Sequence, residues 1–299
     1  MLEEYMNKIK FIATLVCCSL AFAACSSSQT RKTIVIDPGH GGKFEGVRFD
    51  ITKKAGYKKV KKVLTVNGET KTQVLEVPIY KEIRAIKEQD LNLLLAKEVR
   101  KLIANDKRFK ILMTRETDKE LDTTVATDLR KRMWIAQENN ADAFVSVHVN
   151  SIGSDWSKSC DKRGFEVFFR NSKYLDDSDS YVGNTQNIYN ASKEQLAKMR
   201  EDDQNIQKNA RDEGASLAWH IASKFKTMLK IPPHNEGISE DKRNLYILKT
   251  SRIPAVIIET GYLCNDVDRP LLEDKYERKK MAKAIYDGIV AYGKEAGWF

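Results

Sequence analysis

Four side chains in this sequence have the types and positions that hydrolytic metal chemistry uses. His40 stands in the glycine-rich turn of IVIDPGHGG (34 to 42), directly after a run of β-branched residues. His148 closes the apolar run AFVSVH, Glu259 closes AVIIE, and Glu88 opens the helical pattern that continues through DLNLLLAKEV. Two neutral imidazoles and one carboxylate are a recurring ligand set for catalytic zinc, with a fourth position left for water. Each residue also has an ordinary use. A histidine in a tight turn serves as a general base or simply as a polar loop residue, and a glutamate at a helix start complements the helix dipole. Glu259 is harder to explain away, because a carboxylate ending an apolar strand is costly to desolvate unless a cation or a hydrogen-bond donor meets it.

These residues need a scaffold that gathers strand ends. The apolar runs TIVID (33 to 37), FKILM (109 to 113), AFVSVHV (143 to 149), FEVFF (165 to 169), LYIL (245 to 248) and AVIIE (255 to 259) read as strands. Between them lie helical patterns over 90 to 103, 129 to 138, 215 to 229 and 279 to 292. Strands that are nearly continuous in apolar character are covered on both faces. The expectation is an α/β fold: a doubly wound, mostly parallel sheet with helices on both faces. In such sheets ligands bind outside the carboxyl ends of the strands, where His40, His148 and Glu259 fall.

One catalytic domain over 33 to 299 is expected, with two insertions. The first, 43 to 82, is lysine-rich and holds Asn67-Gly68, a hairpin signal, so it reads as a β-hairpin or small subdomain. The second, 171 to 214, is polar and contains a charged helical pattern from Ser192 to about Arg211; it reads as a loop or regulatory lid.

The first 25 residues form their own unit, with Lys8 and Lys10 before an apolar run that ends Ala23-Ala24-Cys25. This reads as a signal peptide with a lipobox-like end, Cys25 becoming lipid-anchored, followed by a short linker over 26 to 32. An uncleaved anchor is the alternative, and either places the protein outside the cytoplasm. The formal net charge of +9 survives loss of that segment, which carries two lysines and two glutamates. A basic exported protein meets anionic polymers or lipid headgroups. Nucleic acid is not an expected partner, since no helix-turn-helix or RNP-like pattern occurs. Cys160 and Cys264 remain in the mature chain, free to pair in an oxidising compartment.

The stretches IVIDPGHGG, KEQDLNLLLAKEV, ILMTRETD, LRKRMWIA with NNADAFVSVHVNS, and IPAVIIETGYLCND resemble, in order and spacing, the zinc-dependent N-acetylmuramoyl-L-alanine amidases of the amidase-3 type. The resemblance covers 33 to about 293 apart from the two insertions. It implies Zn2+ held by His40, Glu88 and His148, Glu259 as the catalytic carboxylate, and Asn150 shaping the site. It also implies peptidoglycan as substrate, cut between N-acetylmuramic acid and L-alanine; the signal and lipobox-like reading of the first 25 residues gives the expected location, the periplasm, lipid-anchored at the outer membrane. Some members carry an autoinhibitory helix that a partner displaces. By that analogy an activator protein would act on 171 to 214, with Glu194, Glu201, Asp202 or Asp203 capping the metal.

The chain departs from that pattern in two places. The 48 positions from His40 to Glu88 exceed the family's spacing, leaving Glu45 and Glu82 as rival ligands, and Tyr262 replaces the phenylalanine of ExGF. Arg115 and Arg132 bind peptide carboxylates or form structural ion pairs. His220 and His234 are not counted as ligands, although the loop of His234 is able to reach the cleft. Two rival functions are a zinc carboxypeptidase, whose usual second ligand position is Lys43 here, and a non-catalytic wall-binding lipoprotein.

Overall fold

Apolar residues that alternate along a strand and are buried on both faces require a sheet covered twice, and the computed structural model has that arrangement. It describes residues 30–66, 69–152, 158–174 and 192–299. The signal segment, Cys25, most of the linker and the turn residues Asn67-Gly68 lie outside the described residues. In chain order the elements are β1 (Lys32–Pro38), β2 (Arg48–Val66), β3 (Glu69–Lys87), α1 (Glu88–Ala104), β4 (Phe109–Met113), α2 (Val125–Glu138), β5 (Ala143–Asn150) and β6 (Phe165–Phe169). There follow α3 (Lys193–Met228), β7 (Pro233–Glu240), α4 (Tyr246–Thr250), β8 (Ala255–Tyr262), α5 (Asp268–Glu273) and α6 (Lys275–Glu295).

Six strands make one sheet in the order β4-β1-β5-β8-β6-β7. All neighbours are parallel except β6 and β8, which run antiparallel. Successive side chains go to opposite faces. Ile34, Ile36, Val145, Val147, Val256 and Ile258 enter one core with α1, α3 and α6. Val35, Phe144 and Ile257 enter the other, with α2 and α4. The expected α/β class, mostly parallel with helices on both faces, is what the residues build, and Lys32–Phe299 is one compact unit. No helix among the described residues is long and apolar enough to cross a membrane.

Two expected elements are corrected. LYIL is not a strand: Tyr246–Thr250 is a short helix whose Ile247 and Leu248 are buried in the second core. An apolar run this short does not tell a strand from a buried helical turn by periodicity. The sixth strand is instead PHNEGISE, an edge strand with only Gly237 buried, so it has no apolar run to announce it. The helical patterns 192 to 211 and 215 to 229 are one 36-residue helix, α3. It starts at a Ser192 and Gln195 capping box. Gly214, which looks like a break, is where α3 passes over the start of β8: an added Cβ would lie 3.1 Å from the Ala255 carbonyl oxygen.

Residues Arg48–Val66 and Glu69–Lys87 form an antiparallel two-stranded ribbon with Val66 opposite Glu69. Its base is anchored in the body by buried Phe49 and Ile86 and by a bidentate Arg84 to Glu273 pair. The ribbon ends at Lys87, so its last residue delivers the chain directly to Glu88.

Cys160 and Cys264 are joined by a disulfide across a separation of 104 residues, tying the segment before β6 to the one after β8. Closing a loop this long restricts the unfolded chain strongly, and native disulfides contribute typically about 2–4 kcal/mol. The Cys160→Ser/Cys264→Ser double variant is therefore expected to unfold at lower urea concentration, with a loss of stability of about 2–4 kcal/mol. The same loss should follow when the wild-type chain is reduced.

Candidate metal centre

The centre is built where the sheet's carboxyl edge meets the turn after β1. Pro38 ends the strand, and His40 takes a left-handed backbone conformation (φ 62°) followed by Gly41 and Gly42, also at positive φ. The turn is closed by paired backbone bonds between Gly41 and Phe44. Gly39 has no room for a side chain, since a Cβ there would lie 2.2 Å from the His148 ring. The three glycines thus let the chain reverse while the neighbouring strand's imidazole fills the space beside it.

Two buried guanidinium groups hold this turn from beneath. Arg132 donates to the carbonyls of Pro38 and His40 and pairs with Asp37 and Asp128 at 2.7 and 2.6 Å. Arg115 donates to the carbonyls of Pro38, Gly39 and Gln89, each at 2.9 Å. Both are structural; neither is free to bind a peptide carboxylate. Asp37 also accepts from Thr114 and Ser146. Burial alone would raise its pKa, but Arg132 and these two hydroxyls hold it below the ordinary carboxylate range.

That network carries its own prediction. Arg132→Ala leaves Asp37 and Asp128 without their cation in a dry interior, where breaking a buried pair costs about 3–5 kcal/mol. A loss near that size is expected in denaturant titration. Because the folded-state pKa of Asp37 is depressed, its contribution is complete above the unfolded pKa of about 3.9. It is lost as pH falls through the folded value. Wild-type stability should therefore drop below about pH 4, and the variant should show less of that drop.

Glu88 is the first residue of α1 and is 2% exposed. Its Oε2 accepts from the amide of Val47, and its Oε1 from the amide of Val149. Oε1 lies 3.0 Å from His148 Nδ1 and 3.4 Å from His40 Nε2. One ligand atom from each of His40, Glu88 and His148 falls within 4.8 Å of the others, and the imidazoles meet edge to face at 5.0 Å. Gly46, at positive φ, closes the back of the group: a Cβ there would be 2.4 Å from Glu88 Oε2. Asn92, one turn along α1, donates to Glu88 Oε1 and to the Gly39 carbonyl.

The electrostatics hold His40 and Glu88 in the forms that bind a metal, while the Glu88 carboxylate favours the protonated ring of His148. Burial lowers the His40 pKa to about 4, leaving a neutral ring with a free lone pair at pH 7. Burial opposes ionisation of Glu88, but the His148 hydrogen bond and both imidazoles outweigh it and hold the carboxyl at about 2. For His148 burial favours the neutral ring, and the bond to Glu88 overrides it, raising the pKa. Glu88 Oε1 lies 3.0 and 3.4 Å from a nitrogen of each imidazole, the separation of ligand atoms held about 2.0–2.2 Å from one zinc ion, and all three ligand atoms fall within 4.8 Å of one another. The residues fit that ion.

Glu259 lies directly beside His148 on the neighbouring parallel strand. Its Oε2 is out of water and has no hydrogen-bond partner among the described residues. Burial, then the charges of Glu88 and Glu166, push its pKa up to about 7 against the attraction of His148. Glu166 pairs with Glu259 in register across β6 and β8 and accepts from Ser239. A cavity of about 240 Å³ opens beside the cluster, lined by His40, His148, Phe44, Leu129, Tyr246 and Ile257 among others.

The other candidates separate from this group. The Glu45 carboxylate pairs with Lys87 at 2.7 Å and is not in the cluster; Glu82 stands on the ribbon opposite Thr52. Asn150 lies beyond a register shift on β5, its side-chain oxygen accepting from the Ser151 amide. Tyr262 is buried, 5.3 Å from the His234 ring. His234 bonds the Arg163 carbonyl, and His220 pairs with Glu295.

Of the acidic residues expected to cap the metal, Asp203 lies away from the cluster. Asp203 is buried against Arg252 and Gln207, and Arg211 reaches the Lys249 carbonyl. That half of α3 therefore lies by residues leading into β8, at the sheet's amino edge, opposite the cluster. Glu194 bonds Ser192. Sequence reasoning also missed Asp37, Asn92 and Glu166. Two of them had a signal: Asp37 is a carboxylate ending an apolar run, and Asn92 is one helical turn from Glu88.

Comparison with known proteins places this geometry. The chain is 25% identical over 274 residues to the probable N-acetylmuramoyl-L-alanine amidase AmiB of Haemophilus influenzae, covering 87% of this chain and 52% of that one, so it spans about half of that relative's length. To AmiA of Escherichia coli it is 24% identical over 273 residues, covering 89% and 77%. The catalytic domain of CwlV from Bacillus (Paenibacillus) polymyxa var. colistinus shares the fold at a TM-score of 0.54 and 21% identity, covering 88% and 98%. The CwlD amidase of Clostridioides difficile, solved in complex with the GerS lipoprotein, does so at 0.55 and 22%, covering 89% and 100%. The family profile of N-acetylmuramoyl-L-alanine amidases matches residues 34–291, which takes in every strand of the sheet and both insertions, and the chain belongs to that family, Amidase_3.

Proposed function

We propose that this protein is a zinc-dependent N-acetylmuramoyl-L-alanine amidase that hydrolyses peptidoglycan between the lactyl group of N-acetylmuramic acid and L-alanine. The observation that carries the reading is the convergence of His40, Glu88 and His148, with Glu259 beside them, inside the family match. Zinc held by those three residues would lower the pKa of water toward about 7 and polarise the scissile carbonyl. Glu259 takes the proton of the attacking water on its unpartnered Oε2 and returns it to the departing amine. A carboxyl pushed up to about 7 is matched to both steps near neutral pH. The turn anchored by Arg132 and Arg115 keeps His40 in place throughout.

The test is zinc content measured together with the products released from purified peptidoglycan. About one zinc per chain and peptides beginning with L-alanine are expected. Free amino acids from peptide ends would indicate a peptidase, and binding without any product a wall-binding protein. Export with lipid on Cys25 belongs to the same proposal, and Cys25→Ala should abolish acylation. An activating partner is also proposed, in line with CwlD having been solved with a lipoprotein. Since α3 is built into the body from Asp203 onward, the deletion that tests it is 175–191, which should raise hydrolysis.

A further inference from the structure

The ribbon of β2 and β3 concentrates the charge of the chain. Between Arg48 and Lys87 there are eleven lysines and arginines against four acidic residues, a net +7 out of the formal +9 of the whole sequence. Nineteen residues in each strand reach about 60 Å at ~3.3 Å per residue. Among the described residues only its base is buried: every residue from 57 to 63 and from 70 to 74 is exposed.

Lysines on a two-stranded ribbon have a ready explanation, because they keep its edges from pairing with other chains. The aliphatic residues do not. Register places Ile79, Val77, Val60 and Leu75 on one face together with Lys58 and Lys62. Ile79, Val77 and Val60 are 42%, 36% and 38% exposed. No acidic residue lies on that face between its Gly56–Ile79 and Lys62–Gln73 pairs; the opposite face also exposes Tyr57, Val63 and Val74, but it carries Glu76 among them. A long isolated hairpin with apolar side chains in water is marginally stable, and a contiguous apolar stripe set among cations marks a surface that is covered in use.

We propose that this face of the ribbon lies on an anionic lipid bilayer, with Lys58 and Lys62 at the headgroups and Val60, Leu75, Val77 and Ile79 in the acyl boundary. Charge alone fits any polyanion. The aliphatic stripe selects a lipid surface over a hydrated glycan or polyphosphate, because only the bilayer offers those side chains an apolar phase. The inference goes beyond the proposed hydrolysis and does not depend on it.

The test is hydrogen exchange on the full chain with phosphatidylglycerol–phosphatidylcholine vesicles, compared with phosphatidylcholine alone. Reading the result segment by segment separates the ribbon from any attachment through the amino-terminal segment. Slowed exchange in 57 to 63 and 73 to 79 is expected with the anionic vesicles only, with β1 and β5 unchanged. The K58E/K62E variant, a change of four charge units on that face, should lose this protection and weaken partitioning by roughly two to three orders of magnitude, each unit near the surface being worth about fivefold. V60S/V77S/I79S, with every lysine kept, should also lose it, and V63S/V74S on the other face should not. Absence of vesicle protection, or equal protection by purified peptidoglycan or heparin, would overturn the proposal.

Discussion

Glu259→Gln is expected to lower hydrolysis of peptidoglycan by about 10²–10⁴-fold while leaving the zinc content unchanged. Glutamine keeps the size of the side chain and removes its ability to take a proton. The substitution breaks no hydrogen bond at Oε2, which has none, and Glu259 is not among the three clustered ligand atoms. Stability supplies the second readout. In the metal-free chain burial raises the Glu259 pKa to about 7. A raised acid is accommodated while protonated, and folding free energy is lost as pH rises through the folded pKa. The variant should therefore match the wild-type metal-free chain near pH 4 and unfold at a higher temperature than it at pH 8. Activity within tenfold of wild type would remove Glu259 from the reaction.

The three proposed metal ligands should divide into two kinds of loss. His40→Ala is expected to abolish zinc retention and hydrolysis with little change in fold, because its ring is one-third exposed and its backbone is held by Arg132. Glu88→Ala should lose zinc and destabilise the domain as well. Its carboxylate satisfies the amides of Val47 and Val149, and a buried donor left unpaired costs about 1–3 kcal/mol. Equilibrium dialysis with zinc beside circular dichroism separates these outcomes. Zinc retained at wild-type affinity in His40→Ala would show that the three residues are not the ligand set. Removal of metal by dipicolinate should likewise stop hydrolysis, and stoichiometric zinc should restore it.

Much of the centre was legible because a doubly wound sheet puts the ends of its strands on one edge. A polar residue closing each of three apolar runs, at 37 to 40, 148 and 259, is then spatially grouped although far apart in sequence. Glu88 was legible as a helix start, but its rivals were not excluded until the ribbon was seen to deliver the chain to it. The support beneath was not legible. Arg115 and Arg132 look like surface cations in a sequence with 51 of them, and only packing shows that both are buried.

The sequence by itself determined the fold class, five of the six strands of the sheet, the two layers of helices and the residue types of the metal group, because strands nearly continuous in apolar character must be covered on both faces, which leaves few arrangements. Tertiary structure decided the rest. It made LYIL a helix and PHNEGISE a strand, since an edge strand needs backbone partners and not an apolar run. It carried α3 unbroken past Gly214 to the amino edge, where Asp203 meets Arg252 and not the His40, Glu88 and His148 group. It joined Cys160 to Cys264, and it turned the lysine-rich insertion into a ribbon exposed on both faces. These features depend on distances between segments remote in the chain, which local propensity does not encode.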